Sequence, residues 1–529
     1  MRSVQSSAQH TFALSPQANI PRASFNRSHG YKTTFDEGYL VPVFLDEVLP
    51  GDTFSLNMTA FARMATPIYP IMDNLYLDSF FFFIPNRLVW DNWERFNGAQ
   101  DDPSDSTDYI LPVTTAPVSG GVATGSLCDY FGIPTKINSL EFQSLPLRCY
   151  NFLWNSWFRD ENLQDSVPVP KGDGPDSYTD FNLLRRGKRH DYFTSALPWP
   201  QKINDGTVVE IPLGVSAPVV PNAPFAIPVF ANVNTGTGAN LAFLNANSAA
   251  QWNPGPVASG DAGWGVTNLI ADLSDATAAS INQLRQAFQL QKLYERDARG
   301  GTRYTEIIRS HFNVVSPDAR LQRPEYLGGG STMVNINPVT QTAPPTSEQD
   351  TPQGNLAAFA TASVTGHGFT KSFTEHGYII GLVSVRADLN YQQGLNRLWS
   401  RSIRWDFYWP ALSHIGEQSI LNKEIYAQGT SADDNVFGYQ ERYAEYRYKP
   451  ALITGLFRSN VIGSLDAWHL AQDFSSLPTL GSSFIVENAP MDRILAVPTE
   501  PDFIFDSFFS LKCARPLPLY GVPEFIDHF

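Results

Sequence analysis

Apolar and polar residues alternate with a period of two near both ends of this 529-residue chain. In "TFSLNMTAFARM", Phe54, Leu56, Met58 and Ala60 share one side, while Ser55, Asn57 and Thr59 share the other. That is the signature of a strand with one buried face. The "LPGD" just before it is a Pro-Gly turn signal, so "YLVPVFLDEV" reads as a partner limb. "NLYLDSFFFFIP" departs from alternation, and Phe80 to Phe83 suit a strand buried on both faces. From Phe369 the β-patterns return in "FTKSFTEHGYIIGLVSVRADLNY", "SIRWDFYWPAL", "RYAEYRYKPALITGLF" and "FIFDSFFSLKCARPLPLYG".

Between these ends the period changes. "RLVWDNWERF" reads as a short helix, with Leu88, Trp90 and Trp93 as core contacts. In "SLPLRCYNFLWNSWFRDENL", Leu147, Tyr150, Phe152, Leu153, Trp154, Trp157 and Phe158 make a wide apolar helical face. Ser280 and Gln283 form a capping box for "INQLRQAFQLQKLYERDARGG", which Gly300 and Gly301 should end. Strands at both ends with helices between them must pair across long sequence distances. The expected fold is therefore mainly β, an antiparallel sandwich of the jelly-roll kind with long insertions containing several α-helices.

The chain divides by texture. Residues 1–36 form a basic arm with Arg2, Arg22, Arg27 and Lys32, extended and held by contacts with the rest of the chain. The first jelly-roll strands occupy 37–96, and a helical and loop insertion occupies 97–205. Between 206 and 271 the charged residues are Glu210 and Asp261 alone. This low-charge stretch is expected to be an irregular surface protrusion packed partly against neighbouring subunits. A helix and ordered loops follow over 272–365, and the remaining strands over 366–529.

Composition narrows the class. Charged residues make up 17%, below the roughly 25% of ordinary soluble domains. Aromatics at 13% give ample surface to bury, which argues against disorder. Cys128, Cys149 and Cys513 are too dispersed for a disulfide framework or a CxxC metal site. The first residues lack the apolar run of a signal peptide, so export by the usual route is not expected. "FFFFI" and "YIIGLVSV" are too short to span a bilayer.

Candidate chemistry is sparse. HExxH, GxSxG and GxxxxGK[ST] patterns are missing. "GTGANL" lacks the third glycine of a dinucleotide loop, and Gly328 to Gly330 in "YLGGGSTM" read as a flexible turn. His367 and His376 are nine apart without an HxH pair, so two exposed strand-end histidines fit better than a metal site. Asp101, Asp102, Asp105 and Asp108 read as a solvated acidic loop ahead of a calcium cage. The expectation is no catalytic residue, no metal and no cofactor.

The densest signal is "LLRRGKRHDYF". Arg185, Arg186, Lys188 and Arg189 concentrate charge in a chain whose net charge is −15, and His190 and Tyr192 add rings. Phosphate neutralisation needs such density on an accessible surface. A solvated loop, or a set of salt bridges to acidic neighbours, would use the same residues. Arg22, Arg27 and Lys32 are weaker nucleic-acid candidates of the same kind.

Five spaced stretches then point to a family. They are "RSHGYKTTFDEGYLVPVFLDEVLPGDTF", "FFFIPNRLVWDNWERFNG", "RRGKRHDYFTSALPWPQK", "AFQLQKLYERDARGGTRYTEIIRSHFNVVSPDARLQRPEYLGGG" and "TPQGNLAAFATAS". Together they resemble the major capsid proteins of microviruses, small icosahedral phages with single-stranded DNA, and especially the gokushovirus branch. The resemblance implies a single eight-stranded jelly roll assembled with copies of itself into a T=1 shell. It implies a packaged circular single-stranded DNA genome, an internal scaffolding protein, a minor pilot protein and a host surface receptor. It also implies a virion protein assembled in the bacterial cytoplasm, with 206–271 protruding. The competing readings are a jelly-roll carbohydrate-binding protein or glycan-active enzyme, and a monomeric single-stranded DNA-binding protein. The acidic total disfavours the last of these.

Overall fold

A computed structural model describes residues 21–200, 281–301, 304–312, 322–344, 346–347 and 351–520, and short strands at 219–221, 230–232, 238–239, 262–264 and 269–271. The first twenty residues, most of 206–271, and the Ser280–Gln283 capping box lie outside the described residues.

The N-terminal strands are β1 (Ala23–Asn26), β2 (His29–Phe35), β3 (Val41–Val48), β4 (Thr53–Met64) and β5 (Leu75–Pro85). Beyond a long excursion come β6 (Glu325–Met333), β7 (Asn335–Thr340), β8 (Leu356–Ser372) and β9 (Gly377–Ala387). A short hairpin, β10 (Glu417–Leu421) and β11 (Val436–Glu441), precedes the last strand, β12 (Phe503–Arg515). Eight of these strands make two antiparallel four-stranded sheets, in the orders β2-β12-β4-β8 and β3-β9-β5-β6. This is a jelly roll. β1 continues the edge beside β12, and β7 adds an outer strand to β8.

The sequence pattern decides which faces meet. On β4, Phe54, Leu56, Met58, Ala60, Ala62 and Met64 all point inward, as the alternation predicts. Phe503, Phe505, Phe509 and Leu511 of β12 join them, and Phe81, Phe83, Ile379, Val383 and Val385 come from the opposing sheet. The phenylalanine run is buried on both sides. Phe81 and Phe83 enter this inter-sheet core, while Phe82 and Ile84 enter a second core beneath helix α1 (Leu145–Trp157). Arg148 of α1 is fully buried and donates to both oxygens of Asp176 at 2.6 and 2.7 Å. It also donates to the Val89 and Gly172 carbonyls, so it ties the helix to the proline-rich segment.

Three local readings need correction. β3 is not the pairing partner of β4: the Pro-Gly turn crosses from one sheet to the other, so β3 pairs with β9 while β4 pairs with β8 and β12. Gly328 to Gly330 lie within β6, not in a flexible turn. A Cβ on Gly328 would sit 2.4 Å from the Gly368 carbonyl oxygen, and one on Gly329 (φ +153°) would sit 2.1 Å from that of Ser79. Glycine here lets three strands approach closely. "SIRWDFYWPAL" and "RYAEYRYKPALITGLF" are not strands either. They form 3₁₀ turns such as Arg404–Asp406, Pro410–Leu412 and Ala444–Tyr446. Their aromatics have strand propensity, which tertiary context overrides. Here Arg401 lies over the Phe407 and Tyr446 rings, and Arg404 over Trp405 and Trp409.

A separate compact unit spans Gln201–Val314. It contains α2 (Ile281–Gly300), followed by Gly301 at φ +94°, and α3 (Tyr304–Phe312). His311 Nε2 meets Asp297 Oδ1 at 2.7 Å between the two helices. No helix among the described residues is long and apolar enough to cross a membrane.

Gly328→Ala is expected to lower stability by about 1–3 kcal/mol, because the added methyl overpacks a backbone contact. Gly172→Ala, with open space around it, should stay within ~0.5 kcal/mol. Equilibrium urea unfolding of the two variants distinguishes these outcomes.

Candidate nucleic-acid interface

The basic knot is an extended segment pinned on both sides. Leu40 donates its amide to the Leu184 carbonyl and Arg186 donates to Gly38, both at 2.9 Å. On the other side, Lys188 donates to Ile485 at 2.7 Å and Glu487 donates to Arg186 at 2.9 Å. Gly38 (φ +76°) permits this approach, since a Cβ there would stand 2.5 Å from the Glu487 carbonyl oxygen.

The side chains follow the backbone. Arg186 donates to Asp78 Oδ2 at 2.7 Å, and Arg386 donates to the same oxygen at 2.9 Å. Burial opposes ionisation of Asp78, but Ser331, Arg186 and Arg386 outweigh it and hold the carboxyl below its usual range. Arg185 donates to the Glu487 carbonyl at 2.8 Å, meets Glu37 at 3.3 Å and lies over the Tyr39 ring. Lys188 is buried, donates to the Phe484 carbonyl at 2.8 Å and lies over the Phe484 ring. Burial lowers its pKa, against the pull of Glu487, Asp191 and Glu37. Burial raises Glu487, and it pushes Glu37 up to about 8 although Arg185 pulls the other way.

Thus Arg185, Arg186 and Lys188 give their donors to acceptors of their own chain, while Arg189 and His190 are exposed. Of the arm residues, Arg27 meets Asp46 at 2.5 Å and Lys32 meets Asp506 at 2.8 Å on an open surface. Arg22 is exposed and donates to the Thr53 hydroxyl at 2.7 Å. The structure does not gather these eight residues into one cluster. The knot joins instead to residues that the charge pattern does not single out: Glu37, Asp78, Arg386 and Glu487. Asp78 had a signal, as the one carboxylate in an otherwise apolar run, "LYLDSFFFFI".

The other candidates have local explanations. His367 is not an exposed strand end: it is buried within β8, between the Ser79 hydroxyl at 2.8 Å and the Thr332 hydroxyl at 3.2 Å, with its pKa lowered by burial. His376 packs on Trp93. Asp105 accepts the amides of Asp101 and Asp102. No group of His, Cys, Asp or Glu among the described residues could hold a metal ion.

Asp78→Asn would remove the shared counter-charge of buried Arg386, which keeps only Asp388 at 3.9 Å, and of part-buried Arg186. It should cost about 3–5 kcal/mol in urea unfolding, whereas Arg189→Ala should stay within ~0.5 kcal/mol. Glu37 gives a pH test. Its folded pKa of about 8 lies above the ordinary 4.5, so the folded state holds an extra proton between those values. Stability from this group therefore falls as pH rises through that window. Glu37→Gln keeps the neutral form and should stabilise the chain more at pH ~8 than at pH ~5.

The chain was then compared with known proteins. The capsid protein (F protein) family of phages matches residues 14–525. Capsid protein VP1 of Bdellovibrio phage phiMH2K is 54% identical, over 98% of both chains. VP1 of Chlamydia phage 1 is 44% identical, over 99% of this chain and 98% of its own. VP1 of Spiroplasma virus 4 is 38% identical, over 97% of each. With a jelly roll and structural roles for its charged residues, this chain belongs to the phage capsid protein (F protein) family, as a structural virion protein and not an enzyme.

Proposed function

We propose that the chain builds a T=1 icosahedral shell around circular single-stranded DNA. Assembly takes place in the cytoplasm of a bacterial host, with an internal scaffolding protein, a minor pilot protein and a host receptor as further partners. The observation that carries self-association is the aromatic segment between β9 and β10. Trp399 is 75% exposed, and Ile403, Trp405, Phe407 and Tyr408 are each at least half exposed. A soluble monomer rarely shows so much contiguous apolar surface, and a second copy of the chain is the partner that a shell supplies. Many such contacts, each modest, become strong together when the shell closes.

Within that shell, exposed Arg189 and His190 and the arm residues Arg22, Arg27 and Lys32 are available for genome phosphates. Arg185, Arg186 and Lys188 set the position of the loop that presents Arg189. The low-charge insertion at 206–271 protrudes outward and meets the host. In support, among the described residues the Gln201–Val314 unit contributes no strand to the two jelly-roll sheets.

Trp399→Asp with Trp405→Asp should abolish shell formation, seen by light scattering and electron microscopy, and leave the melting temperature of the subunit unchanged. Particles from the double variant would remove this segment from the shell contacts. Deleting about 210–265 should leave a folded jelly roll but reduce attachment of particles to host cells. A deletion chain that fails to fold would place the insertion in the core.

A further inference from the structure

The two sheets are treated differently on their outer faces. The sheet β3-β9-β5-β6 is covered by the α1 core, with Phe82, Ile84, Tyr378, Ile380 and Leu382 buried beneath it. Among the described residues, the outer face of β2-β12-β4-β8 is open along β4 and β12. Every second residue of β4 and β12 along this face is exposed, in the burial patterns of both strands.

That face carries three exposed rings, Phe61 and Phe508 at its centre and Phe359 on β8, and an excess of cations. Phe61 is 51% exposed and Phe508 is 52% exposed, and neither stacks on another ring among the described residues. Their register sets them in adjacent rows: Asp506 pairs with Phe61, and Phe508 pairs with Thr59. Successive rows along one face are roughly 7 Å apart. Arg63 lies one row beyond, opposite Ile504, and Lys512 lies opposite Ser55. Lys32 reaches the face through Asp506, and Arg22 through Thr53. Four cations therefore meet one carboxylate, in a chain with 37 Lys and Arg against 52 Asp and Glu. Arg63 and Lys512 are exposed and form no ion pair among the described residues. The remaining positions on these two strands are Ser55, Asn57, Thr59 and Ser510, small polar groups that can hydrogen-bond phosphate or base edges.

We infer that this face is a stacking platform for single-stranded nucleic acid. Phe61 and Phe508 each take a base, and Arg63, Lys512, Arg22 and Lys32 take phosphates along the strand. Rings that accept any base, flanked by cations that follow a backbone, are what sequence-tolerant single-strand binding requires. The charge excess favours this occupant over a second copy docked face to face, which would oppose cation to cation. The inference rests on the reading that the shell encloses single-stranded DNA, and it names a surface for that contact apart from the knot.

Binding is read by fluorescence anisotropy of a labelled oligothymidylate titrated with the full-length, unassembled chain over a range of salt. Arg63→Ala with Lys512→Ala should lower the log–log salt slope by about 1.4, at ~0.7 per phosphate contact. Phe61→Ala with Phe508→Ala should weaken binding at least ~fivefold at every salt concentration and leave the slope unchanged. All four side chains are exposed, so unchanged melting curves will show that the variants fold. Wild-type binding that survives both double substitutions overturns the platform and leaves DNA packaging to another surface. The same holds if the phenylalanine pair spares DNA binding but blocks self-association, which would make the face a copy-to-copy interface. A wild-type chain that does not bind the oligonucleotide overturns the platform together with the DNA-contact reading.

Discussion

The carboxylate of Asp78 is the point on which two guanidinium groups from distant parts of the chain converge. It projects from β5 on the outer side of the covered sheet, in the same row as Phe80, Phe82 and Ile84. The apolar members of that row are covered by α1 and its loops. The charged end cannot be covered by apolar residues, because a buried carboxylate without a counter-charge loses several kcal/mol. Arg386 from β9 and Arg186 from the knot close it over together. The knot in turn lies against 485–487 on its far side, so this ion cluster fixes β5, β9, the excursion and the C-terminal loops relative to one another. Such a cluster adds less net stability than its contacts suggest, because each ion gives up its water. Its stronger effect is on uniqueness: only one placement of the knot satisfies Asp78, Glu37 and the 484–487 carbonyls at once.

That placement changes what the cationic run means. An acidic chain with one basic knot invites a picture of charge set aside for nucleic acid. Three of the knot's four cations are instead turned onto the chain itself: Arg186 meets Asp78, Arg185 meets Glu37 and the Glu487 carbonyl, and Lys188 donates to the Phe484 carbonyl. The positive surface that stays open is spread over the outer face of β2-β12-β4-β8, where single cations alternate with hydroxyls and rings. Density along the sequence and density on the surface are different quantities, and phosphate responds to the second.

The sequence was most legible where one physical rule decided the outcome. Alternation on β4 names Phe54, Leu56, Met58 and Ala60 as inward, because a strand between a core and solvent has no other way to bury them, and Ala62 and Met64 continue the same face. The Phe80–Phe83 run likewise announces two buried faces. The knot was legible as a charge feature but not as a clamp, since its partners Asp78 and Glu37 are 108 and 148 residues away. Two readings failed for a shared reason. Gly328 to Gly330 looked like a turn, and "SIRWDFYWPAL" looked like a strand. In both, local propensity gave way to neighbours from distant strands and loops, which no window of sequence contains.

The order of the strands places a further constraint on how the subunit becomes competent. β12 ends fourteen residues before the chain does, yet it lies between β2 and β4 in the middle of its sheet. His29 pairs with Phe509, and Phe54 with Cys513. β1 and β2 therefore have no sheet to join until β12 has been made, and the loop-closure entropy of that pairing is met late. The open platform is built across the same junction, with Phe61 and Arg63 from β4 and Phe508 and Lys512 from β12. An unfinished chain holds half of each pair. That face is complete only when the strand that closes the jelly roll is in place, so a partly folded subunit lacks the paired rings and cations that a finished one displays.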